Sequence, residues 1–98
     1  MDIQNLNRLK ETLTIRKMEM IVTLAELKSL TQTAEAFGRT VPSVSLTITR
    51  LEDLSGIKIF SKRGQSFVLS EDGVALVTLL KEMLRVFYEV APKASSDV

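Results

Sequence analysis

Apolar residues return at helical intervals along most of the chain, with one short run of β-formers breaking the pattern. Over 15–28, Met18, Ile21, Val22 and Ala25 share a face, with Leu24 and Leu27 beside it. Arg16, Lys17, Glu19, Glu26 and Lys28 supply solvent charge. This predicts an amphipathic helix whose Met and Leu stripe belongs to a core rather than to a cofactor site. Over 71–91, Leu76, Leu80, Met83, Phe87 and Val90 step by 4, 3, 4 and 3, a heptad seam. Val74, Val77, Leu79, Leu84, Val86 and Ala91 are apolar as well. Thr78, Lys81, Glu82, Arg85 and Glu89 leave only a narrow polar stripe. A helix so apolar around its girth needs two partners, its own domain and another chain. It is read as a dimerisation helix with Leu76, Leu80, Met83, Leu84, Phe87 and Val90 as its interface. Ser70 can cap it, and Glu71 and Asp72 complement the dipole of its first turn. Pro92 is expected to end it ahead of a flexible tail over 92–98.

Residues 29–54 read as two short helices with a tight break. Ser29 can accept from the amide of Gln32 while the Gln32 side chain reaches back, a capping box. Ala34 and Phe37 make the apolar side, and Gly38 can stop the helix. Thr40 is the next N-cap, and Pro42 fits a first turn, where its missing N–H does no harm. Val44, Ile48 and Leu51 bury one face of the second helix, and Gly56 ends it. The other face carries Ser43, Ser45, Thr47, Thr49 and Arg50, short polar groups with one positive charge. Such a pair suits a DNA major groove. Local pattern alone leaves an ordinary helical hairpin equally open.

The period then changes. Ile57 and Ile59, and later Phe67, Val68 and Leu69, are β-formers around Lys62-Arg63-Gly64-Gln65. This predicts a β-hairpin with a basic tip, in the place where a wing follows a helix-turn-helix. The alternative is a solvated loop whose charges serve solubility. At the other end, Ile3, Leu6, Leu9 and Leu13 step by 3, 3 and 4, which suits either one more amphipathic helix or a frayed tail over 1–14.

Composition narrows the chemistry. With 98 residues, 45% hydrophobic and 26% charged, the chain is a single globular domain. It has no cysteine and no histidine, which removes disulfides, thiolate metal sites and the commonest general base. The N-terminus lacks a signal-peptide core, and no apolar run approaches the roughly 18 to 20 residues that span a bilayer. A cytoplasmic protein is expected, with no membrane partner. Net charge is only +1, but residues 1–70 hold ten Lys/Arg against seven Asp/Glu while 71–98 hold three against five. The helix pair therefore sits in the positive part, a mild lean toward nucleic acid.

With helix, helix-turn-helix, wing and long C-terminal helix in that order, the chain resembles the DNA-binding domain of LysR-type transcriptional regulators. The match runs from about Ile15 to Val90. It shows in Ala25-Glu26, Ser29, Thr31, Ala34-Glu35, Pro42-Ser43-Val44-Ser45, Ile48 and Arg50-Leu51-Glu52. It continues in Ile59-Phe60, Gly64, Leu69-Ser70 and Gly73. The resemblance implies a mainly α winged helix-turn-helix over 15–70, a three-helix core with a β-hairpin wing, and a linker helix over 71–91. It also implies homodimers through that helix, bound to dyad-symmetric double-stranded DNA. Pro42, Ser43 and Ser45 match the start of the recognition helix, Thr31 a residue often near phosphate, and Lys62 a wing cation.

Departures from the family pattern bear on reading. Val41 replaces a common glutamine and offers only contact to a thymine methyl. Leu46 and Thr49 stand where basic or polar residues are frequent, and Gln65 where a wing arginine is common. Arg39 replaces an apolar residue; its stem can cover the core while its head stays wet. The expected DNA surface is therefore Thr31, Thr40, Val41, Pro42, Ser43, Ser45, Leu46, Thr47, Thr49, Arg50, Lys62, Arg63 and Gln65. Family members generally continue into an inducer-binding domain, which is absent over these residues. An excised fragment and a short relative both fit, the N-terminal extension favouring the latter slightly.

Two functions of different class follow. One is a dimeric DNA-binding transcription regulator without an effector domain. The other is an interaction module whose long helix pairs with another transcription regulator. An enzyme is not expected: Glu52 with Asp53, and Glu71 with Asp72, are adjacent and read as solvated charge. No nucleophile-base pair, phosphate loop, cofactor motif or metal-ligand set is present.

Overall fold

The computed structural model describes residues 2–63 and 66–96, with the side chains of 62, 63 and 94–96 excepted. The elements run α1 (Ile3–Thr12), α2 (Ile15–Leu27), α3 (Leu30–Phe37), α4 (Val41–Ser55), β1 (Phe60–Arg63), β2 (Ser66–Leu69) and α5 (Glu71–Ser96). The fold is a winged helix-turn-helix, mainly α, with an extra helix in front. Side-chain chemistry marks the breaks. Thr14 Oγ1 accepts from the Lys17 amide at 3.1 Å to start α2, and Ser29 Oγ accepts from the Gln32 amide at 3.1 Å to start α3. Gly38 (φ 62°) and Gly56 (φ 73°) end α3 and α4 in the left-handed conformation that favours glycine.

Met18, Met20, Ile21 and Leu24 of α2 meet Val44, Ile48 and Leu51 of α4 and Leu76, Val77, Leu80 and Leu84 of α5 in one core. Within the N-terminal extension, Ile3–Thr12 forms a helix. Asp2 caps α1 by accepting from the Gln4 amide at 3.1 Å, Leu9 is buried, and the helix packs along α4.

Two expectations are corrected. Ile57 and Ile59 precede the hairpin instead of opening it; both are fully buried in the connecting loop. β1 starts at Phe60, so Lys62 and Arg63 lie on the strand, paired antiparallel with Phe67 and Ser66. The tail is also not irregular from residue 92, since α5 continues through Pro92 to Ser96. Proline's fixed φ is itself helical; the ring removes the donor that would reach the residue 88 carbonyl and crowds that carbonyl, a cost confined to the last turns of α5. Residues 97 and 98 lie outside the described residues.

The root of α5 is pressed on the loop before the wing. A Cβ on Gly73 would stand 2.1 Å from the Ile59 carbonyl oxygen, so only glycine permits this approach. Ser70 holds the same place: its Oγ donates to the Lys58 carbonyl and accepts from the Gly73 amide at 2.9 Å, and its own amide donates to Ile59 O at 2.9 Å. Among the described residues, no helix is long and apolar enough to cross a membrane.

Candidate nucleic-acid interface

α4 presents its outer face because its inner one is consumed. Val44, Ile48, Leu51 and Ser55 are buried, and the opposite crest, Pro42, Leu46, Thr49 and Asp53, is exposed. The Thr40 hydroxyl accepts from the Ser43 amide at 3.3 Å and so starts the helix. Ser45 is half-buried on the flank toward the wing, in a hollow it shares with Thr49, Lys58, Phe60 and Phe67. Thr47 and Arg50 line a groove on the other flank with Glu11, Thr12, Thr14 and Lys17, where α1 meets α2. Thr31 is exposed in the first turn of α3.

Val41, expected at a base edge, is half-buried at the start of α4, with part of its side chain packed against the core. Arg39, absent from the sequence-derived surface, is brought to it. Its Nε donates to Ser43 Oγ at 2.8 Å and its Nη2 to Thr47 Oγ1 at 3.1 Å, while the Thr47 hydroxyl donates to the Ser43 carbonyl at 3.0 Å. The spacing 39, 43, 47 is that of one helical side, but Arg39 precedes the N-cap, so no helical period announces it.

The wing is anchored by Glu52, read from sequence as solvated charge. Its Oε2 accepts from the amides of Ile59 and Phe60 at 2.8 and 3.1 Å, tying the end of α4 to the start of β1. Phe60 and Phe67 meet edge to face at 6.2 Å across the hairpin, and the Phe67 amide donates to the Lys28 carbonyl at 3.3 Å. The backbone of Lys62 and Arg63 thus stands in a fixed hairpin beside α4. Gln65 lies outside the described residues.

On α5 the six proposed interface residues divide. Leu76, Leu80 and Leu84 are 1%, 1% and 6% exposed, spent on this chain's own core, and are corrected as contacts for a second chain. Met83, Phe87 and Val90 are exposed. Leu79, Met83, Val86 and Val90 form the unpartnered stripe, stepping by 4, 3 and 4 and all 43–54% exposed. Arg85 beside it bridges Glu82 and Glu89; the hydrogen bond it gives holds the Glu82 carboxyl below its usual range and raises its own pKa. Tyr88 donates to Glu19 of α2, which raises the pKa of the phenol. Among the described residues, no group of three or more His, Cys, Asp or Glu is placed to hold a metal ion.

Known proteins share this arrangement. Residues 15–74 match the bacterial regulatory helix-turn-helix protein, lysR family. The transcriptional regulator DgdR of Burkholderia cepacia is 32% identical over 79 residues, which are 81% of this chain and 27% of DgdR. CbbR of Rhodospirillum rubrum is 30% identical over 70 residues, 71% of this chain and 24% of CbbR. The chain thus spans about a quarter of the length of the curated relatives it matches. Among solved structures, the BenM DNA-binding domain in complex with benA site 1 DNA superposes with a TM-score of 0.80 at 17% identity, covering 88% of this chain and 100% of that one. A full-length OxyR variant from Pseudomonas aeruginosa gives 0.76 at 25% identity, over 86% of this chain and 28% of that one. The matched span runs from α2 into the root of α5, leaving α1 outside it, and the chain belongs to the LysR family of bacterial regulatory helix-turn-helix proteins.

Proposed function

We propose that the chain is a DNA-binding transcription regulator that enters the major groove with α4 and lays its wing along the backbone. It acts in the cytoplasm as a homodimer on a dyad-symmetric site, joined through the Leu79, Met83, Val86 and Val90 stripe. The observation that carries the reading is the outer face of α4, whose crest Pro42, Leu46 and Thr49 is exposed and is flanked by Ser45 and by Ser43 and Thr47, the two hydroxyls that hold Arg39. Hydroxyls, the wing cations and Arg50 are the groups that meet phosphate and base edges.

Fluorescence titration of the purified chain alone against random-sequence duplexes, at two salt concentrations, tests it. Affinity should fall as salt rises. Replacing Lys62 and Arg63 by Ala should weaken binding to all sequences alike and flatten the log–log salt dependence by about 0.9 for each phosphate no longer neutralised. Absent or salt-indifferent binding refutes the proposal. The exposed α5 stripe also favours a second reading, pairing with another regulator's helix. A homodimer that binds no duplex, together with preferential formation of a mixed dimer, would select that one.

A further inference from the structure

Arg39 lies between the two helices of the motif, and its head is fixed across the first two turns of α4. Nε and one Nη2 proton are given to Ser43 Oγ and Thr47 Oγ1. A guanidinium carries five N–H donors in a planar fork, so three remain, two on Nη1 and one on Nη2. They lie on the edge turned away from the hydroxyls. Two parallel donors of that kind match the O6 and N7 acceptors of guanine, and a fork already held loses less freedom on binding.

The level along the helix selects a base over a phosphate. Recognition helices touch base edges with their N-terminal residues. In that part of α4 the crest is Pro42 and Leu46, which present neither amide nor cation. The helix's own cation, Arg50, stands a turn further on. Resting on the reading of the chain as a DNA-binding protein, we propose that Arg39 is a specificity-determining residue that fixes one guanine in each half-site. Ser43 and Thr47 act as positioning residues that aim its fork.

Selection of bound duplexes from a random pool, followed by titration of the enriched duplex and its single-base variants, tests this. The chain should enrich one guanine per half-site. Arg39→Lys keeps the charge and loses the fork, so it should lower the preference for that guanine about 10-fold or more while leaving the salt dependence unchanged. Arg39→Ala should abolish the same preference and spare the other positions. Thr47→Val, which frees one side of the fork, should reduce it in part. A motif unchanged in Arg39→Lys and Arg39→Ala overturns the proposal. So does an Arg39→Ala loss that is equal for all duplexes and flattens the salt slope by about 0.9, which marks a phosphate contact. If the unmodified chain binds no duplex, the DNA-binding reading itself falls and this one with it; binding without a guanine preference removes this one alone.

Discussion

Glu52 shows how much of the architecture can rest on one half-buried carboxylate. Its Oε2 accepts from two amides at the start of the wing, those of Ile59 and Phe60. Glu52→Ala should lower the free energy of unfolding in urea by about 2 kcal/mol, the order expected when partly buried donors lose a charged acceptor. Glu52→Gln keeps an acceptor and should lose less. An unchanged midpoint in Glu52→Ala would mean that water replaces the carboxylate. The reading of Glu52 as solvated charge failed for a definable reason. Its partners are main-chain amides 7 and 8 residues away, and an amide has no side-chain signature. Arg39 escaped for a related one, since its two hydroxyl partners were visible but its own backbone lies outside the helix that places them.

At the level of elements, the local chemistry was legible. Ser29, Thr40, Gly38 and Gly56 bound the two motif helices where capping rules put them. What periodicity left open was phase. Two apolar stripes run along α5, each at heptad-like spacing, and spacing alone does not say which of them meets the core. The core takes Leu76, Leu80 and Leu84, so the outward stripe is offset from the expected seam and shares only Met83 and Val90 with it. This separates two kinds of substitution. Met83→Asp with Val86→Asp should leave the chain folded by circular dichroism and shift sedimentation equilibrium from dimer to monomer. Leu80→Asp should unfold it, because a carboxylate would enter a fully buried site. A doubly substituted chain that stays dimeric would remove the stripe from the interface. Pro92 reads as a stop in the sequence, but its φ is helical and its cost, a lost donor and a crowded carbonyl, is local, so the helix runs on past it.

For the molecule as a whole, the decisive contact is between sequence-distant parts. Gly73 lets α5 touch the backbone of the loop at Ile59, and Ser70 bonds both Lys58 and Gly73. Gly73→Ala should destabilise the domain by about 1–3 kcal/mol, as overpacking does, measured as a lower thermal or urea midpoint. Since the colliding atom is a backbone oxygen, no rotamer change relieves it. A Gly73→Ala chain as stable as the parent would show that α5 can lift off the loop. With that root fastened, and with Glu52 tying the same loop to α4, the proposed reading helix and the proposed pairing helix are held to one loop as a bracket. In the proposed homodimer, a twofold pair of such brackets would act as a ruler. The span between its two reading helices would be set within each chain, and half-sites face the same way only at intervals of a helical turn, roughly 10 to 10.5 base pairs. Displaced half-sites could then be reached only by bending or twisting the duplex, so the mechanical compliance of the DNA between them would enter the choice of site.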